Sequence, residues 1–442
     1  MRILYLDCDS LRPDHLGCYG YDRETSPSID RVASEGRLFR NYYVSDAPCL
    51  PSRTAFFTGR FGIHTGVVNH SGINADIRHR GQKRGTSTGG AYRTFPMTLS
   101  QAGYRTALVS PFPTRHGAWH VLDGFEEWHD TGRSGRERAD EVYPHAAEWL
   151  QSHATEDDWY LHVNFWDPHT PYDTPLEYGT PFEDDPTPEW PTEERIAEQY
   201  ESYGPHSAHD LHHGYLTGNG PDDLERTPDE IASRADFGRW IDAYDTGIRY
   251  MDEYIGKLFD LLDENGVFEE TLIVVSADHG ESQGELNVYG DHQAADEATC
   301  RIPLLVCGPG VESGVDSSLH YHLDFAPTLA DLAVSTHLLR GTDNRSHAPS
   351  QTEPTPAVRS SSPDKARGPV SVASAGMTGS FSGHTTMDGR TLRQSNSTIS
   401  RTIRTRPRIW SMSVPVWSQT GWHCSSSGTA DANRSVRRAQ RW

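Results

Sequence analysis

Lysine is nearly absent from this sequence: three stand among 442 residues, at Lys83, Lys257 and Lys365. The formal net charge is −22, and cationic work falls almost wholly to arginine. A surface of that sign repels nucleic acid and stays soluble where salt screens its self-repulsion. Acid excess with arginine in place of lysine is the composition of a salt-adapted, haloarchaeal type of cytoplasm. Cysteine is scarce as well. The six present are scattered, so they form no disulfide framework, and no Cys-x-x-Cys pair points to zinc. No apolar stretch reaches 18 residues, which excludes a spanning helix of ordinary length. The opening run Ile3–Leu6 is too short for a signal peptide. These absences predict a cytoplasmic chain without membrane or nucleic-acid partners.

What charge there is lies unevenly. Residues 336–442 hold fifteen basic groups against five acidic, whereas residues 1–335 hold 25 basic and 57 acidic. The last stretch is rich in Ser, Thr, Arg and Pro and shows neither helical nor strand periodicity. It reads as a disordered basic tail or as the product of a reading-frame shift near residue 335. Trp410, Trp417, Trp422 and Trp442 are odd in an evolved disordered tail and favour the shift. The expected division is a main domain over 1–335, with a lid or specificity insertion at 173–229, and a low-order tail over 336–442.

The chain is organised around Ala47-Pro48-Cys49-Leu50-Pro51-Ser52-Arg53, continuing to Thr58-Gly59-Arg60. Two prolines stiffen the turn that carries the thiol. A helix opening there presents free N–H groups and a positive dipole end, and Arg53 adds a permanent charge. Cys49 therefore reads as a buried structural cysteine, or as a thiolate nucleophile with its pKa lowered from about 8.5. A third reading comes from resemblance. Cys-x-Pro-Ser-Arg followed by Thr-Gly-Arg resembles the signature of the sulfatase family, and chance would place the first part in about one chain of this length in a thousand. The resemblance implies that a maturation enzyme oxidises Cys49 to formylglycine, whose hydrated aldehyde is the nucleophile.

Four apolar strands bring further candidates. Ile3–Leu6 ends at Asp7, Asp9 and Asp14, and open α/β sheets place ligands at such carboxyl ends. Asp7 and Asp9 share a face if the strand continues. Asp9 to Gly20 resembles the sulfatase opening, where an acidic pair binds a divalent cation; here Ser10 takes the second place. Arg105–Ser110 leads to Arg115 and His116, which stand where the family holds sulfate with a lysine and a histidine. Trp159–Asn164 leads to His169, which resembles the family's Pro-His-x-Pro histidine that donates to the ester oxygen. Thr271–Val275, continuous enough to be buried on both faces, delivers Asp278 and His279, which resemble the family's Ser-x-Asp-His-Gly element. His292 occupies the position of a sulfate-binding lysine, and imidazole is charged only near or below about pH 6.5 unless a partner intervenes.

Elsewhere, Pro96–Ala102 reads as a helix, Gly81–Gly90 as an exposed loop, and His64, Asn69 and His70 as loop residues able to line a pocket. Asp173–Asp229 lacks periodicity. Ile231–Leu262 has helical spacing and reads as one long amphipathic helix or two. His322–Leu329 fits the closing helix of the main domain.

The fold expected from the resemblance is a three-layer α/β domain of the alkaline-phosphatase-like type with a mixed, mostly parallel sheet. The family's small C-terminal domain is missing or scrambled here. The implied reaction is hydrolysis of a small-molecule or carbohydrate sulfate monoester. Asp9, position 49, Asp278 and His279 hold one divalent cation, calcium before magnesium or manganese. Arg53 steadies the hydroxyl that attacks sulfur, and His169 protonates the leaving alcohol, a role worth about 10²–10⁴-fold. The second hydroxyl then expels sulfate. A phosphonate monoester or phosphodiester hydrolase would share these residues, and a truncated inactive relative is the remaining alternative.

Overall fold

The apolar run at the start of the chain lies between those at Trp159 and Thr271 and pairs with both, because strands buried on both faces are satisfied only inside a covered sheet. The computed structural model describes residues 1–77, 93–132, 136–211 and 225–332. Its strands are β1 (Arg2–Cys8), β2 (Arg37–Tyr43), β3 (Arg105–Val109), β4 (Glu127–His129), β5 (Trp159–Phe165), β6 (Thr271–Ser276), β7 (Arg301–Cys307) and β8 (Gly314–Tyr321). They form one eight-stranded sheet in the order β4-β3-β5-β1-β6-β7-β2-β8. Only β7 runs against its neighbours; every other pairing is parallel. The expected mixed, mostly parallel sheet is what forms.

Helices cover both faces, completing three layers. On one face the helix Arg234–Glu264 packs on Ala139–His153 and Pro27–Glu35. Its Asp252 carboxylate accepts the Ser28 and Ile29 N–H groups, each at 2.8 Å, and so ties down the opening turn of Pro27–Glu35. The stretch read as one helix or two is a single helix of 31 residues, which starts where the Ser233 hydroxyl accepts the Asp236 N–H. The other face is aromatic. Tyr5 from β1, Phe56 and Phe57 from the helix Cys49–Thr58, Phe95 and Phe325 lie with ring centroids 5.0–5.6 Å apart. Truncating one such ring to alanine costs about 3–5 kcal/mol. This cluster anchors the helix that carries Cys49 against β1.

Differences from expectation are local. The segment read as aperiodic contains the helix Glu193–Tyr200, capped by the Thr192 hydroxyl; eight residues are too few to establish a period. The loop 81–90, part of the 173–229 insertion and the tail 336–442 lie outside the described residues. Among the described residues five cysteines are all free, and no helix is long and apolar enough to cross a membrane.

Candidate active site

The carboxyl ends of β1, β5 and β6 open onto one place, and the helix Cys49–Thr58 points its first residue into it. Cys49 is fully buried. Its Sγ lies 3.1 Å from His279 Nε2 and 3.6 Å from His292 Nε2. Burial, then the nearby Asp9 carboxylate, push the thiol pKa up. This corrects the thiolate reading: the dipole end and Arg53 do not win, because desolvation and carboxylates oppose them. The neutral thiol donates to His279, whose Nδ1–H is committed to the Gly280 carbonyl at 2.8 Å.

Arg53 is not free to serve an anion alone. Its guanidinium donates to Asp7 at 3.0 Å, to Asp9 at 3.1 Å and to Asp278, and it lies over the Phe112 ring. Asp7 and Asp9 do share a face, as the alternation requires. Asp7, however, is held between Arg53 and His162 Nε2, and this pairing keeps its pKa down against burial. Asp9 and Asp278 differ. Burial, with repulsion from Asp7 at both and from Asp9 at Asp278, raises both above the usual carboxylate range despite Arg53.

One ligand atom each from Asp9, Cys49, Asp278 and His279 lies within 4.8 Å of the others, all buried. Two strained carboxylates and an imidazole lone pair facing them form an acceptor-rich set. One arginine does not satisfy it, and an added divalent cation would. The donor set therefore fits a cation. Backbone geometry supports the arrangement: Asp278 accepts the N–H groups of Ser10 at 3.3 Å and His279 at 2.9 Å. Gly280 follows where a Cβ would lie 1.9 Å from the Ala298 carbonyl oxygen.

The remaining candidates line the opposite wall. His169 is buried and stacks on Trp166 at 3.9 Å, and the Arg115 guanidinium lies 3.5 Å from the centroid of the same Trp166 ring. His169 Nδ1 donates to the Thr170 carbonyl, and its Nε2 is buried without a hydrogen-bond partner. Burial, His292 and Arg115 hold it neutral. Burial also depresses His292, but Cys49 and Glu281 outweigh it, and its pKa stands well above the ordinary value. Glu281 Oε1 sits 3.4 Å from His292 Nδ1. His116 packs at 4.5 Å from His70, and a ligand atom of each lies within 4.8 Å of the Cys49 sulfur.

All nine candidates named from sequence thus gather in one region: Asp9, Cys49, Arg53, Arg115, His116, His169, Asp278, His279 and His292. Glu281, Trp166 and His70 complete it. Glu281 follows the Asp-His-Gly segment directly, and a carboxylate there was the available signal. Trp166 carried none. His70, read from the sequence as a loop residue able to line a pocket, stands beside Cys49 and His116, and burial depresses its pKa to about 3.

Residues 2–335 match the family model described as Sulfatase. Among curated proteins, the choline-sulfatase of Rhizobium meliloti is 26% identical over 356 residues, covering 70% of this chain and 62% of that protein. The N-acetylglucosamine-6-O-sulfatase of Bacteroides thetaiotaomicron is 24% identical over 403 residues, covering 75% and 67%. The chain thus spans about three fifths to two thirds of the length of these relatives. Of solved structures, BT4656 in complex with its substrate D-glucosamine-2-N,6-O-disulfate superposes with a TM-score of 0.57 at 22% identity, covering 75% of this chain and 76% of that one. The phosphonate monoester hydrolase SpPMH from Silicibacter pomeroyi gives 0.55 at 20% identity, covering 75% and 73%.

Proposed function

The chain belongs to the sulfatase family, and we propose that it hydrolyses sulfate monoesters with formylglycine at position 49 as the nucleophile. The observation that carries this reading is the meeting of Cys49, Asp9, Asp278 and His279 within 4.8 Å at the buried start of one helix. A divalent cation held by Asp9, Asp278, His279 and position 49, calcium by preference for hard oxygen ligands, would neutralise charge on the ester. Arg53 fixes the orientation of Asp9 and Asp278 through its fork.

Arg115, His116 and His292 form the wall that receives the sulfate. Conversion of Cys49 removes the thiol's support for the His292 charge, while the support from Glu281 persists. His169 has the exposed task of passing a proton from Nε2 to the leaving alcohol. An anionic ester offsets the two cations that hold this imidazole neutral, which allows it to carry that proton. The names of the relatives, choline-sulfatase and N-acetylglucosamine-6-O-sulfatase, support a small-molecule or carbohydrate ester as substrate. Residues 1–335 are the proposed catalytic unit, since the family match ends where the charge balance reverses.

Mass spectrometry of the peptide bearing position 49, from active protein, tests the reading. Replacing S–H and one hydrogen by a carbonyl oxygen lowers the mass by about 18 Da, unlike the gains of ordinary cysteine oxidation. Cys49→Ala should abolish turnover of an aryl sulfate at an unchanged melting temperature. A fully alkylatable thiol in fully active enzyme would sink the hypothesis. Faster turnover of an aryl phosphonate than of the matching sulfate would instead assign the site to phosphonate esters.

A further inference from the structure

Before any conversion, the same pocket is a sulfur centre surrounded by imidazoles. Besides the carboxylate group already described, Cys49 belongs to two others: Cys49 with His70 and His116, and Cys49 with His279 and His292. The first of these shares only the sulfur with the proposed cation site. His70 and His116 each keep a buried Nε2 with no hydrogen-bond partner. Two buried imidazole nitrogens left without partners cost free energy that an acceptor of their lone pairs would recover.

The donor types select the ion. Thiolate with imidazole suits a borderline-soft divalent metal, and zinc above all, whereas calcium and magnesium demand oxygen. Tetrahedral zinc has bonds of about 2.0–2.3 Å, which place its ligands about 3.5 Å apart. The three ligand atoms here lie within 4.8 Å of one another, so closure needs a contraction of side-chain size.

We propose that the unconverted chain binds one zinc ion between Cys49 Sγ and the imidazoles of His70 and His116. Binding breaks the S–H bond, forms the Zn–S bond and releases one proton to solvent. No oxidation state changes. Conversion of Cys49 to formylglycine removes the sulfur and with it the site, so zinc marks the immature form. The inference concerns the cysteine form and stands apart from turnover by the converted one.

The experiment uses full-length chain made without a maturation enzyme, with the intact thiol verified by mass. Zinc is titrated against a chromophoric chelator. Cobalt(II) serves as the spectroscopic probe, because a Co–thiolate bond gives a near-ultraviolet charge-transfer band. The expected result is one equivalent bound, with a cobalt band that is lost in Cys49→Ser. His70→Ala and His116→Ala should each weaken zinc by about tenfold or more, and Asp278→Asn should leave zinc binding and the band in place. Melting curves check each fold, with His70→Gln and His116→Gln replacing any alanine variant that misfolds. The absence of a band, or a band that survives both histidine changes, overturns the proposal. Loss of the band in Asp278→Asn alone would also overturn it, by assigning the metal to the carboxylate site.

Discussion

His292 shows how one residue changes what an anion pocket must supply. A lysine at such a position carries its charge unaided, whereas this imidazole takes its charge from neighbours. Glu281 lies 3.4 Å away on one side and Cys49 3.6 Å on the other, with His279 stacked at 4.1 Å. Within the proposed function, His292→Ala should raise KM for a sulfate ester by about tenfold or more. Its effect on kcat should be small, as expected for a contact made equally in ground and transition states. His292→Lys should restore KM, since the ammonium needs no carboxylate to keep its charge. Glu281→Gln should raise KM in the wild-type background and have little effect in His292→Lys. That dependence on the partner is what a merely structural Glu281 would not show. Steady-state kinetics on the four variants decides it, and equal KM values throughout would end the assignment.

At the scale of elements, the site rests on strand ends and on the turns that leave them. The turn after β6 is the tightest. It runs past Thr299 and Ala298, with the Gly280 N–H donating to the Thr299 carbonyl at 2.8 Å, and a Cβ at Gly280 would overlap the Ala298 carbonyl. Gly280→Ala should therefore push out the segment carrying Asp278 and His279. It should cost about 1–3 kcal/mol of stability and weaken calcium binding more than that loss alone explains. Calorimetric titration with calcium beside thermal melts separates the two, and unchanged affinity would show that the turn has slack.

The same scale explains what could be read in advance. β1, β3, β5 and β6 are apolar enough to be legible, and they carry or precede Asp9, Arg115, His169 and Asp278. The other half of the sheet was hidden. β2 is interrupted by Arg40 and Asn41 and shifts register between Phe39 and Tyr42. β7 contains Pro303, which argues against an inner strand. It is tolerated because pairing with β6 begins only at Leu304 and Pro303 has no partner in β2. β4 is three residues long, and β8 is an exposed edge. The site residues were legible through motif spacing, but their pairings were not. That Arg53 spends its fork on three carboxylates is a consequence of tertiary geometry that no local pattern encodes.

At the scale of the whole molecule, the interior holds several histidines that burial keeps neutral. His162, His169, His279 and His322 are all buried, and burial pushes each pKa down. Such groups are neutral when folded and charged when unfolded in acid, so the unfolded chain binds more protons and stability drops as the pH is lowered. Some carboxylates oppose this. Burial lifts Asp252 to about 7, so on folding it binds a proton between that value and the ordinary carboxylate range. A single-site difference isolates one contribution from this balance. His322 is 2% exposed, pushed to about 3, with Nε2 lacking a partner. Against a free value of about 6.5, its stabilising share is complete above that pH and is lost as pH falls toward 3, with an upper bound of roughly 5 kcal/mol. His322→Phe keeps an aromatic ring against Phe56 and cannot titrate. Its denaturation free energy should fall less between pH 7.5 and pH 5 than that of the wild type. His322→Leu should show the same flattening if the larger ring packs poorly. Parallel pH dependence in the wild type and both variants would mean that His322 titrates in the fold as it does in the unfolded chain, and would remove this contribution.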